Sequence, residues 1–134
     1  MTTLPIGSPV LRQNERHTLY GVPDGYLSVF LAKQARAGQT VIHVSSDDIR
    51  FDQLTDALAF FAPDVEVLRF PAWDCLPYDR VSPTAAAMGE RLKTLSHLAA
   101  TPQSKKPRIV LTTVAAATQR VLPRVLLNDS AFVA

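Results

Sequence analysis

The chain has 134 residues, with 47% hydrophobic side chains and a formal net charge of +2. This is enough for one domain with a real core, and too little positive charge to argue by itself for nucleic acid or an acidic membrane. The single cysteine, Cys75, excludes an internal disulfide and suits a reducing cytoplasm, no apolar run nears the roughly 20 residues of a bilayer span, and Pro5, Gly7 and Pro9 interrupt any signal core.

Residues 1–14 are polar or proline-broken and read as an extension. His17 to Tyr20 reads as a short first strand. Gly21-Val22-Pro23-Asp24-Gly25 is then a turn, with Asp24 as a candidate N-cap. Gly25 to Ala37 has helical spacing at Leu27, Phe30 and Leu31, and Gly38 stands at the usual stop position. The β-branched run Thr40 to Val44 predicts a strand. Ser45-Ser46-Asp47-Asp48 offers caps for a second helix, with Phe51, Leu54, Leu58 and Phe61 on one face. Val65 to Phe70 predicts the next strand.

Phe70 to Pro83 is the least ordinary segment. Pro71, Pro77 and Pro83 stiffen it and remove amide donors. Trp73, Leu76 and Tyr78 need something to pack on if their ordering cost is to be met. Beyond it, Met88, Leu92, Leu95 and Ala99 share one helical face, while Glu90, Arg91, Lys93 and His97 mostly line a solvated one. Ile109-Val110-Leu111, within Arg108 to Thr112, predicts a buried strand. Thr113 is placed to cap a last short helix through Arg120. After a possible turn at Asn128-Asp129-Ser130 the chain closes on apolar Ala131-Phe132-Val133-Ala134, which reads as a cut through a further element.

Strand–helix alternation, four times over, predicts an α/β fold: a parallel sheet with helices on both faces. Ligands of such sheets sit beyond the carboxyl ends of the strands. Three segments fall there: Gly21 to Gly25, Ser45 to Asp48 and the Phe70 to Pro83 loop. The first occupies the position of a phosphate-binding loop, G-x-x-x-x-G-K-[ST]. On that frame Tyr26 replaces the second glycine and Leu27 the lysine, and only Ser28 keeps its hydroxyl. Pro23 removes a donor and Asp24 adds negative charge. A charge pair at ~4 Å is worth about 4 kcal/mol at an effective dielectric near 20, so losing the lysine forfeits attraction of that order. The loop keeps Gly21 and Gly25 but not the chemistry of a nucleotide cradle.

His17, His43 and His97 show no metal-ligand spacing, and His43 reads as an interior residue. Cys75 reads as a packed side chain. Asp74 and Asp79 could be paired carboxylates or turn caps. Lys105, Lys106 and Arg108, with Arg120 and Arg124 beyond, form a small basic cluster that reads as a solvated connection. Direct duplex binding through Lys105, Lys106 and Arg120 is a weaker alternative.

Three motifs carry a family resemblance. Trp73-Asp74-x-Leu76-Pro77-Tyr78-Asp79-x-x-Ser82-Pro83, then Glu90-Arg91-Leu92-x-Thr94-Leu95, then Val110-Leu111-Thr112-Thr113-Val114 with Gln119-Arg120-Val121, resemble the N-terminal region of bacterial transcription-repair coupling factors over roughly residues 15 to 125. The resemblance implies a UvrB-like first α/β subdomain, P-loop-NTPase-like (RecA-like) in fold, whose phosphate loop has lost its nucleotide-binding residues. It further implies an insert domain beginning at 126–134. In the whole protein it implies ATP- and magnesium-dependent motor domains that act on double-stranded DNA, displace stalled RNA polymerase and recruit UvrA. For this segment it implies a non-catalytic scaffold, without cofactor or metal of its own. Trp73, Tyr78, Asp79, Arg80, Arg91 and Arg120 are then candidates for interdomain or partner contact, since aromatics and arginines dominate contact energies. The alternative is a nucleotide-binding or hydrolytic α/β enzyme using Asp24, Ser28, Asp74 and Asp79.

Overall fold

The computed structural model describes residues 11, 16–75, 82–102, 104–123 and 125. Three strands form its sheet: β1 (Thr40–Ser45), β2 (Glu66–Phe70) and β3 (Arg108–Thr113). All pairs are parallel, in the order β1-β3-β2, with Thr40 and Glu66 both opposite Arg108. Every residue of β3 is buried, as its unbroken Ile109-Val110-Leu111 run requires of a central parallel strand.

Helix α1 (Asp24–Arg36) precedes the sheet, α2 (Asp48–Phe61) links β1 to β2, and α3 (Ala85–Ala100) links β2 to β3. The path steps across the sheet and then back, so the right-handed crossover rule puts α2 and α3 on opposite faces. The main core lies under α1 and α2. There Phe30, Leu31, Phe51, Leu54 and Leu58 meet Ile109 and Leu111. Leu68, Phe70 and Val110 alternate to the other face, beneath α3.

The predicted punctuation is largely present. Asp47 caps α2 by accepting from the Arg50 amide at 2.8 Å, and α3 gains a cap that the sequence had not singled out, Thr84 through the Ala87 amide. Gly38 follows α1 with φ +89°, a conformation that side chains resist. One cap is corrected: Pro23 is the N-cap of α1 and Asp24 its first helical residue. Pro23 has no amide to satisfy, and its carbonyl accepts from the Tyr26 amide at 3.0 Å.

The expected first strand at His17 to Tyr20 is not formed, which leaves three strands among the described residues rather than four. The neighbouring segment is tied to the helical layer instead. The Leu11 amide donates to Gln34 Oε1 and the Leu11 carbonyl accepts from Gln39 Nε2, while Leu11 and Leu19 pack on the α1–α2 core.

The apolar stripe assigned to the buried side of α3 is also corrected. Met88 and Leu92 are exposed, and the deeply buried positions are Arg91 and Thr94. Thr94 Oγ1 donates to the Arg69 carbonyl of β2. Polar groups with defined partners on the sheet edge thus fix the rotation of α3 against its apolar count. The final helix, α4 (Val114–Thr118), stops short of Arg120: Gln119 is extended, and its side-chain Oε1 accepts from the Trp73 amide.

Candidate functional site at the carboxyl end of the sheet

Before α1, where the sequence suggested a strand-to-helix turn but no strand forms, Gly21 takes φ +63° and supports a turn. Leu27, in the lysine position of a phosphate loop, is half-buried against the core. Ser28 is fully buried, and its hydroxyl donates to the Gly25 carbonyl at 2.8 Å. The one hydroxyl that the degenerate loop retained is therefore spent inside α1.

Gly25 and Leu27 line an open pocket of about 320 Å³ with His43, Ser45 and Arg50. Burial lowers the pKa of His43, which favours its neutral form. The cap carboxylate of Asp47 stands over this end of α2, held below its ordinary pKa by hydrogen bonds from the Arg50 amide and Ser46. The charged side chain that lines the pocket is Arg50, whose Nε lies 3.8 Å from Asp47 Oδ2.

The second site lies on the other side of α2, where the chain leaves β2. Arg91, from the second turn of α3, is 2% exposed. Its guanidinium stacks on Phe70 at 4.1 Å and on Trp73 at 4.3 Å. Its Nη1 donates to the Pro71 carbonyl at 2.7 Å and to Gln119 Oε1 at 3.1 Å. The same Gln119 oxygen accepts from the Trp73 amide at 3.1 Å. Burial lowers the pKa of Arg91, but a guanidinium remains charged at any ordinary pH. The expectation that Arg91 belongs to a solvated face is corrected: it pins the aromatic loop to α3 and to the segment after α4.

Asp74 accepts from the Thr84 amide at 3.0 Å, and hydrogen bonds from Thr84 hold its carboxyl below the usual range. It serves as a turn-and-cap residue. Asp74 lines a pocket of about 370 Å³ beside Trp73, whereas Gly25 and Leu27 line the separate pocket across α2. Ser28 lines neither. Of the residues proposed for a hydrolytic centre, Ser28 is buried within α1 and Asp74 lines the pocket beside Trp73, and Asp79 lies outside the described residues. So do Tyr78, Arg80 and Arg124. Arg120 is exposed after α4. No metal-holding group of His, Cys, Asp and Glu occurs among the described residues.

The basic cluster also separates. Lys105 and Lys106 are exposed, but Arg108 is 2% exposed at the opposite, amino end of the sheet. Its Nε donates to Glu66 Oε2 at 2.7 Å, and its other nitrogens reach the carbonyl and hydroxyl of Thr101. Glu66 also meets His97 Nε2 at 3.0 Å. Sequence reasoning missed this network and the part played by Gln119. Periodicity gave no signal for either; the only hint was that Arg91 and Gln119 both stood in the family motifs.

A small α/β domain, with a three-stranded parallel sheet and Arg91 stacked on Phe70 and Trp73 where the chain leaves β2, is the class that fold and site define. No protein-family model matches the chain. It is 39% identical over 113 residues to a transcription-repair-coupling factor of Myxococcus xanthus, covering 78% of this chain and 9% of that protein. It is 35% identical over 60 residues to the transcription-repair-coupling factor of Rickettsia bellii (strain RML369-C), covering 45% and 5%. The chain belongs to the transcription-repair-coupling factor family. It spans less than a tenth of the length of these curated relatives. Homology thus connects it with transcription-coupled DNA repair.

Proposed function

We propose that this chain is the non-catalytic, UvrB-like α/β subdomain of a transcription-repair coupling factor, a scaffold that positions other domains in transcription-coupled nucleotide excision repair. The observation that carries this reading is Ser28. A phosphate loop needs a free hydroxyl and a cation, and here the hydroxyl is buried on the Gly25 carbonyl while Leu27 stands in the cation's place. On this reading the domain descends from a P-loop-like fold and has given up its nucleotide chemistry.

On this reading ATP and magnesium are used by motor domains elsewhere in the protein. RNA polymerase, UvrA and double-stranded DNA are partners of the whole assembly in the cytoplasm. No helix among the described residues is long and apolar enough to cross a membrane. Trp73, Arg91 and Gln119 hold the aromatic loop in shape, and Tyr78, Asp79, Arg80 and Arg120 are the candidates for interdomain or partner contact.

Isothermal titration of the chain with ATP and magnesium tests the proposal. The expected result is no saturable heat. Binding at a Kd of about 10 μM or tighter would overturn the scaffold reading in favour of a nucleotide-using enzyme.

A further inference from the structure

The pocket beside Trp73 has a composition that the scaffold role does not use. Its volume is about 370 Å³. Phe51, Pro71 and Trp73 give it an apolar, partly aromatic lining. Asp48, Asp52, Asp74 and Glu90 add four carboxylates, and Arg69 is the only cation among the lining residues. Arg91 lies behind Trp73, with its guanidinium already engaged by Phe70, Pro71 and Gln119. The pocket is therefore net acidic, and its field repels phosphate and nucleic acid.

The wall itself shows which cation it suits. The Arg69 guanidinium lies 4.9 Å from the centre of the Phe51 ring. It also pairs with Asp52 at 2.8 Å and lies 3.8 Å from Glu90. An aromatic face flanked by carboxylates is the environment in which a planar, weakly hydrated guanidinium gains most over an ammonium. Asp48 pairs with no cation among the described residues, and Arg69 is shared between Asp52 and Glu90, so negative charge remains for an incoming group.

We propose that this pocket docks an arginine side chain presented by a basic segment of a protein partner, with the guanidinium against Trp73, since Arg69 already covers Phe51, and the charge met by Asp48 and Glu90. Sign and shape both select this occupant. The inference rests on the pocket's charge and lining and stands apart from the loss of the nucleotide site.

Trp73 is the only tryptophan in the chain, so its emission reports directly on the pocket. The probe is the acetylated, amidated heptapeptide Ala-Ala-Arg-Ala-Ala-Arg-Ala, added to the full 134-residue chain. The expected result is a saturable change half-complete at roughly 1 mM or below, weakening as salt is raised. The lysine counterpart should bind at least about threefold more weakly, and the glutamate counterpart should give no saturable change. The double substitution Asp48→Asn with Glu90→Gln alters exposed or half-exposed groups, and unchanged far-UV circular dichroism verifies its fold. It should weaken the arginine peptide about fivefold or more. A response that does not saturate, equal binding of the lysine peptide, or an unchanged Kd in the double variant would each overturn the proposal.

Discussion

The guanidinium of Arg91 lies 4.3 Å from the centre of the Trp73 ring, and Arg91 and the Trp73 amide donate to one and the same oxygen, Gln119 Oε1. Three sequence fragments far apart in the chain meet at that point. The aromatic loop, the Glu-Arg-Leu turn of α3 and the Gln-Arg pair after α4 are one lock. Its consequence is mechanical: a loop too proline-rich to join a helix or central strand is held at the carboxyl end of the sheet by stacking and shared hydrogen bonds.

Arg91→Lys should therefore behave as a disruptive change. The ammonium keeps the charge but cannot stack flat between Phe70 and Trp73 while reaching Pro71 and Gln119. We expect a loss of about 2 kcal/mol, with Arg91→Ala costing about 3 kcal/mol or more, because buried acceptors lose a charged donor and the stacking is lost with it. Urea unfolding followed by circular dichroism measures both. A lysine variant as stable as the parent would show that charge alone holds the loop.

Trp73→Ala should cost about 3 kcal/mol, in the range of other large aromatic truncations. Gln119→Ala should cost about 1–2 kcal/mol, since it leaves the Trp73 amide and one Arg91 donor without their acceptor. Because the three residues share contacts, the double variant Trp73→Ala with Gln119→Ala should lose clearly less than the sum of the singles. Strict additivity in thermal or urea unfolding would mean that the residues act independently.

At the other end of the sheet, stability should fall in acid through Glu66. Burial opposes its ionisation, but the Arg108 hydrogen bond and charge, with His97, outweigh it and lower its pKa in the folded protein. A carboxyl whose folded pKa lies below its unfolded value contributes stability that is present above the unfolded value. That stability is lost as pH falls through the folded one, so the loss begins below about pH 4.5 and continues downward. Glu66→Gln removes this part of the acid limb. It should also lower stability at neutral pH by about 3 kcal/mol, because Arg108 stays buried without its carboxylate. Parallel pH–stability curves for parent and variant would contradict the assignment.

The sequence carried most of the fold. Caps at Asp47 and Thr113, the stop at Gly38 and the β-branched runs are local signals, and local hydrogen bonding decides them. It failed where partners distant in sequence decide. The rotation of α3 is set by Arg91 on Phe70 and Trp73 and by Thr94 on the Arg69 carbonyl, so an apolar count pointed to Met88 and Leu92, which are exposed. His17 to Tyr20 looked like a strand by composition, but strands exist by pairing, and among the described residues the sheet pairs only β1 and β2 with β3. Of the site, the absence of a lysine at Leu27 was visible in the sequence, but the burial of the Ser28 hydroxyl on the Gly25 carbonyl was not. The Arg91 lock was legible only as motif fragments, since nothing in their spacing says that Gln119 and Trp73 meet.

The loss at the phosphate loop should not be reversible by one residue. Leu27→Lys supplies the missing cation, yet Leu27 packs against the core, so the new ammonium must leave that contact or be buried. Pro23 still lacks an amide, and Ser28 Oγ still donates to the Gly25 carbonyl. We expect the variant to lose about 1–3 kcal/mol of stability and to bind ATP no better than millimolar. Titration calorimetry with ATP and magnesium measures the affinity, and thermal unfolding measures the cost. Micromolar affinity from this single change would show that the cradle had been intact and wanting only its charge, and the buried Ser28 hydroxyl would then lose its place in the argument.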